Sequence, residues 1–203
     1  MASEIANKIR QLTINTYAGI VVTGDKSKSS YIPLWGTVCD IPGLYISSCL
    51  VDKTEMRCQI WDIKHGEVCT NKMFFSDDIN YNIIIYDIPY RNERTKQRHH
   101  NDTIFDYIQR AQTYSKNCEV VVIIVTDGSS DHKIVHKCCT AAKFNTIIMK
   151  QSNLDTIREL PTQLCTILYN ARSSQLFDNV RGLLENSTSK SASASAPKSK
   201  SES

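Results

Sequence analysis

Three stretches of this chain hold residues whose spacing could do chemistry. The first is Gly24-Asp25-Lys26-Ser27-Lys28-Ser29-Ser30-Tyr31, which follows an apolar run. A loop that wraps phosphates needs glycines for close backbone approach, a lysine for the β/γ charge and a hydroxyl for Mg²⁺. Counted from Gly24 in the pattern G-x-x-x-x-G-K-[ST], the second glycine falls on Ser29, the lysine on Ser30 and the hydroxyl residue on Tyr31. In a shortened loop, Lys28 and Ser29 would stand in for the Lys-Ser pair behind Gly24. The same residues spell D-x-S-x-S over Asp25, Ser27 and Ser29, oxygen ligands suited to a hard divalent cation. The second stretch ends at Trp61-Asp62 and continues Ile63-Lys64-His65-Gly66-Glu67, where Asp62 could hold Mg²⁺ through water or simply close a strand. The third is Thr126-Asp127-Gly128-Ser129-Ser130-Asp131, whose Asp127 or Asp131 could accept from the N–H groups of a base. His132, His136, Cys138 and Cys139 follow it. A zinc site there needs its ligands to converge at one point, whereas an amphipathic helix would put the cysteines in the core. Ser129 and Ser130 also stand near His132 and His136, but sequence proximity does not make a nucleophile and its base.

The elements that must position these residues are legible as hydrophobic patterns. Tyr17 to Thr23 is short, β-branched and closed by Gly24-Asp25, which predicts a buried strand ending in a turn. Leu44–Val51 and Thr54–Trp61 are separated by Asp52-Lys53, which predicts a hairpin. The continuous apolar runs Asn82–Tyr86 and Val120–Val125 suit strands covered on both faces. Thr146–Met149 is a last short strand. Helices are expected over Thr103–Ser115, with Asp102 as N-cap, over His132–Lys143, and over Leu154–Asn186 with a break near Pro161. Pro33 opposes helix at Ile32, so any helix after the first strand should be short or lost. Alternating strands and helices imply an α/β domain: a mostly parallel six-stranded sheet with one antiparallel strand pair and helices on both faces. Ligands in such sheets bind off the C-terminal strand ends, where all three stretches lie.

The segment Thr54-Glu-Met-Arg-Cys-Gln-Ile-Trp61-Asp62-Ile-Lys-His-Gly66-Glu67 resembles the L-Q-I-W-D-T-A-G-Q-E of Rab- and Ras-type small GTPases, in which the loop after Trp-Asp senses the γ-phosphate. Ile83-Ile-Ile-Tyr86-Asp87-Ile88 is similar to that family's I-V-V-Y-D-V strand at a similar separation. The helix at Thr103–Ser115 and the strand at Val120–Val125 match the helix and strand that precede guanine recognition. The likeness covers roughly Tyr17 to Ser174 and implies a Ras-like P-loop-type domain.

The nucleotide-handling positions depart from that family. The phosphate loop lacks its second glycine and regular lysine, and the stretch from Gly24 to Trp61 is shorter than usual, so the effector-binding switch segment is altered. His65 stands where D-x-x-G has glycine, and Gly66 where a glutamine orients the attacking water. No Asn-Lys precedes Asp127 or Asp131, and Met149-Lys150-Gln151-Ser152-Asn153 replaces the S-A-K loop. With these charge-neutralising contacts gone together, tight GTP binding is not expected. The expectation is a degenerate, Rab-like pseudo-GTPase with GTP binding and hydrolysis weak or lost and no bound cofactor, used as an adaptor, with vesicle trafficking implied by the resemblance alone. Its protein partner would dock on the former switch surface through Trp35, Tyr45, Trp61, His65, Phe74 and Phe75. Two alternatives stay open. A divergent GTP-binding protein would hold GTP or GDP through Gly24, Lys28, Ser29 and Asp131, with Mg²⁺ on Ser29 and Asp62. D-x-S-x-S with Thr126-Asp127-Gly128 also resembles von Willebrand A-type domains, which hold Mg²⁺ on such residues, although Pro33, Gly36, Pro42 and Gly43 interrupt the long helix that family has next.

Composition sets the remaining limits. The chain has 203 residues, enough for one ordinary core. A net charge of +3 without a dense basic run argues against nucleic acid. None of the eight cysteines forms C-x-x-C and several sit in apolar runs, so reduced thiols in a cytoplasmic setting are expected. Residues 1–13 form an N-terminal segment, 14–186 the domain and 187–203 a Ser/Lys tail expected to be disordered. The tail carries no cysteine for a prenyl anchor, and its lysines support at most weak contact with anionic lipid.

Overall fold

The computed structural model describes residues 14–63, 79–94, 100–114 and 118–193. The chain forms two compact units, Tyr17–Cys165 and a second made of Met1–Thr16 with Thr166–Ser203. The boundary falls inside one helix and within the 14–186 domain expected from sequence.

The first unit is built on a seven-stranded sheet in the order β2-β3-β4-β1-β5-β6-β7. Its strands are β1 Tyr17–Gly24, β2 Thr37–Val38, β3 Leu44–Val51, β4 Thr54–Asp62, β5 Ile79–Asp87, β6 Glu119–Thr126 and β7 Asn145–Lys150. Only β3 runs against the rest: its ladders with β2 and β4 are antiparallel and the other four ladders are parallel. The six expected strands are present. The seventh, β2, is two residues long and therefore too short to show any periodicity in sequence. The β3–β4 hairpin closes at Val51 opposite Thr54, with Asp52 at φ 47° and Lys53 at φ 65°. Both central residues thus adopt the left-handed geometry that a two-residue turn needs to match strand twist.

Side chains of successive strand residues point to opposite faces, and each face acquires its own cover. On one face, Ile84, Tyr86, Val122 and Ile124 pack with Ile104, Tyr107, Ile108 and Ala111 of α3 (His100–Tyr114) and with Val135 and Cys139 of α4 (His132–Ala141). The other face meets the start of α5 (Leu154–Ser193): the Tyr81 hydroxyl donates to the Leu164 carbonyl at 3.1 Å. After β1 come only a four-residue helix, α1 (Lys28–Tyr31), and a 3₁₀ turn over Ile32–Leu34, as Pro33 implies. A further short helix, α2 (Ile88–Arg94), was not legible as a helix.

Two helix expectations are corrected. α3 begins at His100, so Asp102 lies within its first turn and is not its cap. α5 passes through Pro161 without a break. Proline there removes the donor that would reach the carbonyl four residues back, that of Ile157. That carbonyl instead accepts the Trp35 indole N–H at 2.6 Å, so the helix loses a bond while the freed carbonyl keeps a partner. In the second unit the described residues are 14–16 and 166–193, where Arg172 donates to the Asn15 carbonyl at 2.6 Å. The helix extends to Ser193, into the 187–203 stretch expected to be disordered. Extending a formed helix through Ser, Ala and Lys is far cheaper than nucleating one. Among the described residues, no helix is long and apolar enough to cross a membrane.

Candidate functional site

The C-terminal ends of β1, β4 and β5 meet where a parallel sheet of this kind would take a ligand. β1 ends at Gly24 with φ +115°, and a Cβ there would collide with the Ile85 backbone of β5. Only glycine serves at this position. Its role is to let β1 and β5 approach, and the turn that follows closes on itself. The Asp25 amide donates to the Ile85 carbonyl at 2.9 Å. Those of Lys28, Ser29 and Ser30 donate to the carbonyls of Asp25, Lys26 and Ser27 at 3.0, 3.2 and 2.9 Å. A phosphate cradle needs such amides unpaired and pointing outward; here they are occupied by their own loop.

The charges at this end are paired as well. Lys28 opens α1 as the shortened-loop reading requires, but its ammonium is buried and forms an ion pair with Asp62, which ends β4. Asp25 is only 3% exposed, and each of its oxygens accepts two hydrogen bonds. Oδ1 takes Arg91 Nη2 at 2.5 Å and the Tyr107 hydroxyl at 3.0 Å. Oδ2 takes Arg91 Nε at 3.0 Å and the Asp87 amide at 2.9 Å. A carboxylate gripped by an arginine fork and two further donors has no lone pair left for a metal ion. The Arg91 guanidinium also lies 4.4 Å from the Tyr86 ring centre and 5.7 Å from that of Tyr107. Burial opposes its charge, yet the hydrogen bond and charge of Asp25 outweigh burial and raise its pKa.

Asp87 completes the network. Its carboxylate accepts the Tyr31 hydroxyl at 2.8 Å and, as N-cap of α2, the Tyr90 amide at 3.0 Å. Burial, then Asp87, raises the Tyr31 pKa; burial, then Asp25, raises that of Tyr107; burial pushes Tyr86 up to about 12. All three phenols are therefore protonated at neutral pH and act here as fixed donors or packing surfaces, not as acids. Arg91 and Tyr107 were not expected at a site from sequence, and Asp87 and Tyr31 entered only through the family pattern, not as members of this network. The one available signal was Asp87-Ile88-Pro89, a capping aspartate followed by proline in the first turn.

The loop after β6 is different. Asp127 and Asp131 are exposed. The Asp127 carboxylate accepts the Ser129 amide at 2.8 Å, and that bond holds its pKa below the usual carboxylate value. Gly128 N–H donates to the Thr126 hydroxyl at 3.1 Å. Asp131 precedes α4 without a side-chain cap bond. His132 Nδ1 lies 2.6 Å from the Ser129 carbonyl. Burial raises the Cys139 pKa to about 11, and this thiol belongs to the core while His136 is exposed. Among the described residues, no group of three or more His, Cys, Asp or Glu could hold a metal ion.

Of the residues expected at a nucleotide or metal site, Gly24, Lys28 and Asp62 come together, Ser29 is exposed beside them, and Asp131 lies off the end of β6, two strands away from β1. Of the expected partner surface, Trp35 is a correction: it is 3% exposed and serves the core by bonding the carbonyl that Pro161 frees. Tyr45 and Trp61 are half-buried. His65, Phe74 and Phe75 lie outside the described residues. The apolar side chains that do face solvent nearby are Val38, Ile41, Ile46 and Leu50, 66%, 51%, 44% and 72% exposed. No model of a known protein family matches the chain, and no curated protein matches it significantly.

Proposed function

We propose that this chain is a small-GTPase-like domain that has exchanged nucleotide handling for a self-bonded, ion-paired site and works as a protein-binding module. One observation carries the reading: Lys28 is buried in an ion pair with Asp62, where a triphosphate would need both. The Lys28, Ser29 and Ser30 amides, taken up by their own loop, support it. The strand order supports the fold half of the proposal. The second strand of the hairpin, β4, lies beside β1, with β3 outside it. A mostly parallel sheet with helices between its strands fits a Ras-like domain without being specific to one. The fourfold bonding of Asp25 argues against the von Willebrand A-type, Mg-binding alternative. The partner would be a protein seated on the β2–β3 edge, the counterpart of a switch surface, where Val38 is exposed across from the half-buried Tyr45 and Ile46 and Leu50 are exposed on the other face of β3. A role in vesicle trafficking is part of the proposal only through the family likeness.

One observation favours a second reading. Lys28 and Ser29 open a helix directly after β1, and Lys28 reaches Asp62, the pairing a divergent GTP- and Mg-binding site would reuse. Thermal melting in millimolar Mg-GTP and Mg-GDP separates the two. A ligand at about 100 times its Kd stabilises by about 2.7 kcal/mol, a rise of roughly 5–10 °C for a domain of this size. The pseudo-GTPase reading expects no rise with either nucleotide, and a rise that Lys28→Met abolishes would establish the other.

A further inference from the structure

Three cysteines meet on the face of the sheet that α5 covers, away from the ion pairs described above. Cys49 of β3 and Cys58 of β4 are diagonal neighbours in the hairpin, since Cys49 pairs with Met56 and Cys58 with Ser47. Cys58 is 1% exposed, and Cys165 of α5 is fully buried. Their sulfurs are 2.9 Å apart. A disulfide bond measures about 2.03–2.05 Å, so a small adjustment of two side chains would bring them to bonding distance. Cys49 is half-buried, and its thiol is hydrogen-bonded to that of Cys165. The cluster therefore has one member within reach of solvent and two that are sealed but touching.

We propose that Cys49, Cys58 and Cys165 form a thiol relay at which a peroxide-class oxidant converts the chain to a Cys58–Cys165 disulfide. In the first step the Cys49 thiolate takes one oxygen from hydrogen peroxide, giving a sulfenic acid, and the second oxygen leaves as water. The Cys165 thiol attacks the Cys49 sulfur and expels the sulfenic oxygen as a second water, giving a Cys49–Cys165 disulfide. Cys58 then attacks the Cys165 sulfur, and Cys49 leaves with the proton that Cys58 gives up. In sum, two thiols and one peroxide become one disulfide and two waters, and Cys49 is regenerated. Burial, followed by Cys165, pushes the Cys49 pKa up to about 12, so the entry step is slow at neutral pH and favours sustained exposure to oxidant over brief pulses. The product joins residues 107 apart in sequence and ties β4 to the point where α5 leaves the sheet-containing unit. A link closing so long a loop restricts the unfolded chain strongly.

The test uses the reduced full chain, treated with hydrogen peroxide well below its melting temperature. Remaining thiols are then blocked with N-ethylmaleimide, and the protein is digested without reduction for mass spectrometry. The expected main product is the peptide pair linked through Cys58 and Cys165, with a rise in Tm of about 5–10 °C that dithiothreitol reverses. Cys49→Ser should slow formation of the link at least about tenfold while leaving the Tm of the reduced protein near that of the parent. Because the product is mapped on the unaltered chain, the result stands even if a Cys58 variant fails to fold. Recovery of Cys49 as sulfonic acid with Cys58 and Cys165 both still free after unfolding would overturn the proposal. Dominance of any other cysteine pair would overturn it too, and an unchanged rate in Cys49→Ser would remove the relay.

Discussion

The two ends of the sheet's C-terminal rim have met opposite fates. Around β1, β4 and β5, charged residues remain but are turned inward: Lys28 is 2% exposed, Asp25 3% and Asp87 1%. Around β6 the equivalent loop keeps Asp127 and Asp131 in solvent, engaged at most by backbone a few residues away. At the first end the carboxylates of Asp25 and Asp62 are engaged by Arg91 and Lys28, while the Ser27 hydroxyl is buried without a partner. Charged residues at one rim are thus drawn into internal pairs, while those at the other stay in solvent.

If that contrast holds, the largest effect comes from Asp25→Ala. It leaves the Arg91 guanidinium, 11% exposed, without its carboxylate, and removal of one partner of a buried pair costs about 3–5 kcal/mol. Urea unfolding reads this directly, and a loss near zero would show the network to be ornamental. Next is the Lys28–Asp62 pair. Lys28→Met alone should cost about 3 kcal/mol by leaving Asp62 uncompensated, while Lys28→Met with Asp62→Leu should return to within about 1 kcal/mol of the parent. A double variant as unstable as the single one would mean that the pair does more than neutralise itself. Trp35→Phe keeps the ring in the core but frees the Ile157 carbonyl, with an expected loss of about 1–3 kcal/mol in the same assay. The smallest effects belong to the open end. Asp131→Ala should move Tm by no more than about a degree. Asp127 has a depressed pKa because the folded loop donates to its charged form. Its small contribution is therefore complete above the ordinary carboxylate range and fades as the pH falls through the folded value. A titration of Asp127 by NMR that gave a value at or above the ordinary one would erase even that.

Much of the fold was legible because it rests on local patterns. The apolar run Val120–Val125 suited a doubly covered strand, and Asp52-Lys53 between two strands suited a tight turn; both formed. Pro33 correctly shortened the helix after β1. Pro161 misled, because a proline breaks a helix only if the carbonyl it frees finds no other donor, and that donor, Trp35, lies 122 residues away in sequence. The same distance problem hid the site. Lys28 and Asp62 were each singled out, but their pairing was not, and Arg91 and Tyr107 carry no motif at all.

The sequence by itself determined which segments are strands and helices, the hairpin, the alternation that makes most of the sheet parallel, and the absence of the ordinary phosphate- and base-reading residues. Those properties depend on neighbours a few residues apart or on residue types alone. Only the tertiary structure decided that Asp25 is gripped from four sides, that Lys28 turns to Asp62, that Trp35 is a core anchor and that Cys58 touches Cys165. Each of these unites groups far apart along the chain, and what a buried charge or thiol can do depends on which partners surround it once water has been removed.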